Sequence, residues 1–215
     1  MNGQPGEKLY AAANLLAVLT ILYNIAEGVV SVWFGAADET LSLFGFGVDS
    51  FVEVISGVGI WHMVRRIRRN GGVTTDKFEQ QALRITGRAF YILSAGLALS
   101  AGLLLYQGHR PESTFWGIIV SLVSISFMWL LIHYKTKVGK ALDSQAILAD
   151  AACSRMCLSL SLVLLGASAG YELSGFGGFD AVGALLIAWF AFREGRAAFQ
   201  KAKGLIFCCG GNCGG

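Results

Sequence analysis

Two groups of side chains in this sequence have the types and the spacing to do chemistry. In the run FGFGVDSFVEVISG, Asp49 and Glu53 stand four residues apart, and on a helix that spacing turns both carboxylates to one face. In the run LADAACSRMCLSLSL, Cys153 and Cys157 repeat the spacing, and Asp150 lies three residues before Cys153 on nearly the same stripe. Two carboxylates and two thiolates can together form a tetrahedral site for a metal ion. Such a set suits zinc, and its sulfur content shifts preference toward softer ions such as cadmium. Ligation needs deprotonated groups, so binding a metal there releases protons.

Each group also has a plainer reading. Asp49 and Glu53 can be held by salt bridges to neighbouring helices, with Arg155 as the deeply placed cation, although one guanidinium does not easily neutralise both. A membrane cysteine is often only a small apolar residue. Against these stands the cost of ionisable groups inside a bilayer, roughly 2.5–3.5 kcal/mol each on insertion scales, which makes them functional candidates. Two adjacent carboxylates in low dielectric need a shared cation or a shared proton.

The elements that position these residues follow from composition. Of 215 residues, 54% are hydrophobic and 14% charged, with mean hydropathy +0.58; soluble domains carry about a quarter charged residues. The apolar runs are continuous and about twenty residues long, the length a helix needs to cross the hydrocarbon core. Both prolines, Pro5 and Pro111, lie outside them. The expected fold is an all-α integral membrane protein with six transmembrane helices, at Tyr10 to Trp33, Leu41 to Val64, Leu83 to Tyr106, Phe115 to Tyr134, Ser144 to Tyr171 and Phe179 to Phe199. Residues 1–199 form the six-helix domain, and 200–215 a flexible, cysteine-containing cytoplasmic tail. The amino-terminal stretch lacks a signal-peptide layout, so its first apolar segment is read as a retained helix.

Lys and Arg distribution sets the orientation. Arg65, Arg66, Arg68, Arg69 and Lys77 fall between the second and third helices, and Lys135, Lys137 and Lys140 between the fourth and fifth. Arg193, Arg196, Lys201 and Lys203 follow at the carboxy-terminal end, while Arg110 stands alone on the opposite side. Both termini are therefore expected in the cytoplasm, in a multi-pass protein of a cell membrane. With the second and fifth helices antiparallel, Asp49 is expected near the level of Cys157, and Glu53 near Cys153.

Other polar groups carry weaker signals. Glu27 either lines the same cavity or pairs with Arg155, and Asn24 lies beside it in the first helix. Asp180 at the outer rim and Glu194 at the inner rim suggest interfacial solvation. His62, His109 and His133 all fall near helix ends, so no histidine is expected at mid-membrane. Gly45, Gly47, Gly57 and Gly59 fit either close helix packing or a site. In the tail, Cys208, Cys209 and Cys213 can capture a soft metal, carry palmitate, or be inert. No nucleophile–base pair, phosphate loop or redox motif occurs in a connected arrangement, which argues against an enzyme.

At these residues the chain resembles the cation diffusion facilitator (cation efflux) family, in its compact bacterial branch. The resemblance rests on six helices with inside termini, and on the segments NIAEGVVSVWFG, FGVDSFVE, ILADAACSRMC and FDAVGALLIAWFAFREG. Family members carry an acidic or His-containing pair spaced by three residues in the second helix, and a His/Asp pair in the fifth. The resemblance implies that Asp49 and Glu53 form the first pair, and that Cys153 and Cys157 stand at the second, where His and Asp are usual. It implies a homodimeric secondary transporter of a bacterial inner membrane that exports a divalent ion, such as zinc or cadmium, in exchange for protons. Asp150 would attract or orient the ion at the cytoplasmic side. Its partners would be the transported ion, protons and membrane lipid, with no cofactor and no nucleic acid. The family's carboxy-terminal cytoplasmic domain is not expected here, where the cysteine tail follows the sixth helix. A membrane-embedded metal sensor or assembly partner, which binds without transporting, is the alternative.

Overall fold

In hydrocarbon a chain must satisfy its backbone polar groups internally, so the long apolar runs have little choice but to form helices. A computed structural model describes residues 5–70, 77–108 and 110–203. They form α1 (Pro5–Ala37), α2 (Leu41–Asn70), α3 (Lys77–Gln107), α4 (Phe115–Ala141), α5 (Gln145–Ser174) and α6 (Gly178–Ala202). The six expected helices are all present, and each is longer than its expected span, mostly at the ends rich in Lys and Arg. Five of them contain an 18-residue window apolar enough to cross a membrane. In α6, Asp180, Arg193, Glu194 and Arg196 leave at least three charges in every such window. His109 and the tail cysteines Cys208, Cys209 and Cys213 lie outside the described residues.

The helices pack as three close pairs: α1 on α2, α4 on α5, and α3 on α6. α2 is central, touching α1, α3, α5 and α6. Small residues permit the closest approaches. A Cβ on Gly47 would stand 2.7 Å from the backbone nitrogen of Val32 in α1, and one on Gly87 would stand 3.2 Å from the carbonyl of Gly195. The exterior is apolar: Leu22, Val29, Ile92, Leu99, Leu162 and Trp189 are exposed. A water-facing surface of that kind would be a liability, whereas a lipid-facing one matches its solvent.

The end opposite the basic residues is tied shut by polar contacts. Glu112 N donates to Asp38 O (3.0 Å), Thr40 Oγ1 to Ser113 O (2.8 Å), and Thr114 N to Glu172 Oε1 (2.8 Å). Asp180 was expected in interfacial solvent, but it is 2% exposed. Its carboxylate accepts hydrogen bonds from Leu41 N (2.9 Å) and Ser42 N (3.0 Å), at the first turn of α2. The reason is that the first amides of a helix have no partners within it, and a carboxylate also suits the positive end of the helix dipole. Here α6 supplies the cap for α2.

Candidate metal site

Polar side chains of α2 converge inward because Asp49, Ser50, Glu53 and Gly57 recur at helical spacing on the face turned to α1 and α5. The result is a cavity of about 50 Å³ between α1, α2, α3, α5 and α6. It is far smaller than the pockets of organic substrates, which run to about 300–1,000 Å³, and has room for an ion with a water or two. Most lining residues (Gly57, Leu83, Thr86, Asp150, Cys153, Ala198) belong to the halves of their helices nearer the basic ends. The cavity therefore lies on that side of the tied end.

Glu53 is held on both oxygens. Oε1 accepts the Cys157 thiol at 2.7 Å, and Oε2 accepts the Asn24 amide at 3.1 Å. One turn away, Asp49 is 3% exposed and its Oδ1 has no hydrogen-bond partner. Buried carboxylate oxygens are seldom left in that state, and a cation is one group that would satisfy it. Among the described residues, no three His, Cys, Asp or Glu side chains converge on a single point in this conformation.

Every residue singled out for the metal site within the membrane lines this one cavity: Asp49, Glu53, Asp150, Cys153 and Cys157. Their roles within it differ. Cys153 is disulfide-bonded in this structure, so among the described residues Cys157 is the free thiol. Asp150 is paired with Lys135, Oδ2 to Nζ 2.9 Å. The axial register also differs from expectation, since Glu53, and not Asp49, meets Cys157. Arg155 is exposed and does not serve Glu27. Glu27 instead accepts hydrogen bonds from Tyr23 Oη (2.8 Å) and Ser50 Oγ (3.1 Å) and does not line the cavity. His62 and His133 do not line it either.

Asn24, Thr86 and Glu194 also line the cavity, and sequence reasoning gave none of them a role there. Asn24 is 2% exposed, an uncommon fate for an amide in an apolar helix, and that rarity was the available signal. Glu194 was assigned to the inner rim, but it is half-buried and turned inward. Nothing local distinguished it from the arginines on either side.

The cation efflux transmembrane domain matches residues 14–204, nearly the whole described chain. An uncharacterized transporter of Methanocaldococcus jannaschii is 25% identical over 177 residues, which cover 80% of this chain and 62% of that protein. The chain thus spans a little under two thirds of that relative's length. A match running from the first helix to the end of the sixth, over an apolar bundle with acidic groups gathered in its interior, places this chain in the cation efflux family.

Proposed function

We propose that this protein is a secondary transporter that exports a divalent transition-metal ion, zinc or a softer ion such as cadmium, in exchange for protons. The observation that carries the reading is the Glu53–Cys157 contact at 2.7 Å, in a 50 Å³ cavity with a partnerless Asp49 oxygen. Asp49, Glu53 and Cys157 bind the ion. Cys153 joins them once reduced, as a reducing cytoplasm favours. Asp150 attracts the ion from the basic, cytoplasmic side. Thiol and carboxylates must lose protons to bind metal, so each loading event expels protons and each reprotonation releases the ion. The cavity's position toward the basic ends, with the other end tied, supports a cytoplasm-facing state of an alternating-access cycle. The working unit is a homodimer in a bacterial inner membrane.

Metal flux into proteoliposomes under a pH gradient, with reductant present, tests the reading. Zinc or cadmium flux is expected in the wild type. Asp49→Ala is expected to abolish it while the protein remains folded and extractable. Surviving flux in that variant would remove the site from Asp49. Binding without flux of any ion would instead favour a membrane-embedded metal sensor.

A further inference from the structure

Counting basic residues assigned Lys135 to a cytoplasmic loop, but α4 continues to Ala141 and carries Lys135 into the protein. Lys135 is 1% exposed. Its ammonium donates to Asp150 Oδ2 at 2.9 Å and to Ser154 Oγ at 3.0 Å. Removing two charges from solvent is expensive, and their attraction often fails to offset it. As a mere fastening between α4 and α5, the pair would be a poor choice.

Its asymmetry points elsewhere. Lys135 is shut away, while the Asp150 side chain stays 13% exposed, and Asp150 lines the cavity that Lys135 does not. The lysine thus reaches the carboxylate from behind. Along α5, Asp150 precedes Cys157 by seven residues, about 10 Å on the basic side. That puts it in the path of a cation approaching Glu53 and Cys157 from that end.

We propose that Lys135 is the resident counter-ion of an inner waiting station, its ammonium holding the cation position on Asp150 until a divalent ion displaces it. The proposal rests on the reading of this cavity as a cation path. A monovalent ion brings no more charge than the ammonium and lacks its tether, so it does not win the carboxylate. A divalent ion has twice the Coulomb attraction at the same distance. Ser154 gives the displaced ammonium an acceptor to rest on, since its own hydroxyl donates to Asp150 O (3.3 Å). Lys135 is accordingly a specificity-determining residue that never touches the transported ion.

The test counts zinc bound to the purified full-length chain in detergent with reductant, by equilibrium dialysis. Wild type is expected to bind one equivalent tightly and a second weakly, since the second ion must displace the ammonium from Asp150. Lys135→Met, which bares Asp150, is expected to bind the second at least about tenfold more tightly, and Lys135→Met/Asp150→Asn to bind one equivalent only. Lys135→Arg keeps the charge and should match the wild type. Lys135→Gln, which keeps the hydrogen bonds without the charge, is read in the same way as the methionine variant should the latter fail to fold. In flux assays, baring Asp150 should also let potassium compete with zinc, as it does not in the wild type. A folded Lys135→Met or Lys135→Gln protein whose second equivalent binds no more tightly than the wild type's overturns the proposal. A wild type that binds no zinc overturns instead the cation-path reading beneath it.

Discussion

Cys157 Sγ and Glu53 Oε1 lie 2.7 Å apart, a thiol from α5 against a carboxylate from α2, 104 positions away along the chain. A soft and a hard donor brought together give the site a mixed preference. Sulfur favours cadmium and zinc, and oxygen favours manganese and its like. Cys157→Ser replaces the soft donor by a hard one of similar shape. We expect cadmium affinity to fall by about tenfold or more, roughly 1.4 kcal/mol, while manganese affinity falls far less. Competition between the two ions in a binding assay reads this directly. An unchanged cadmium-to-manganese ratio would mean that the sulfur does not reach the ion.

Asn24 places Glu53 without needing to touch the metal, through its amide at 3.1 Å from Oε2. Groups that orient a ligand typically carry about 10–100-fold of metal affinity. Asn24→Leu keeps the volume and removes the hydrogen bond, so zinc affinity should drop within that range, while the thermal transition of the metal-free protein moves little. A variant that unfolds early with unimpaired affinity would make Asn24 a packing residue only.

The pairing of Asp49 with Glu53 was legible because it is local: four residues along one helix fix the shared face whatever the bundle does. The pairing across helices was not. Levels estimated from span ends set Glu53 opposite Cys153, one turn or about 5.4 Å from the Cys157 it meets. The contacts that tie the helices at the far end, Asp180 to the first turn of α2 and Glu172 to Thr114, join residues remote in sequence, and spacing along one helix carries no trace of them. Lys135 was misread for a related reason. A lysine two residues before another reads as loop charge, and only the continuation of α4 to Ala141 reveals it as buried. Six helices, their order and the inward acidic face of α2 needed only hydropathy and spacing.

On the proposed reading metal and protons compete for the same atoms, which fixes the sign of the pH dependence. Lowering the pH protonates carboxylate and thiol, and protonated groups do not bind the ion. Zinc affinity should therefore rise with pH, the slope of log affinity against pH giving the number of protons released. The Cys157 thiol supplies one of them. The wild-type slope should exceed that of Cys157→Ser by about one, measured by isothermal titration across a pH series in detergent. Equal slopes would show that Cys157 binds as the neutral thiol or not at all.

Asp180 tests the other end of the molecule, where no metal is involved. Its carboxylate accepts the amides of Leu41 and Ser42 and the Ser42 hydroxyl in a position only 2% exposed. Asp180→Ala leaves the first turn of α2 with orphaned donors away from water. Loss of a cap costs about 1–2 kcal/mol, and hydrogen bonds to a charged acceptor add to it. We expect thermal unfolding in detergent several degrees below wild type, with zinc affinity at the cavity changed by less than about threefold, since the cavity lies nearer the basic ends. Asp180→Asn, which retains one acceptor oxygen, should fall between the two. If Asp180→Ala melts with the wild type, α2 is held by packing and not by the cap, foremost through the close contact with α1 at Gly47. The register that brings Glu53 to Cys157 would then be set by that contact and not by the cap.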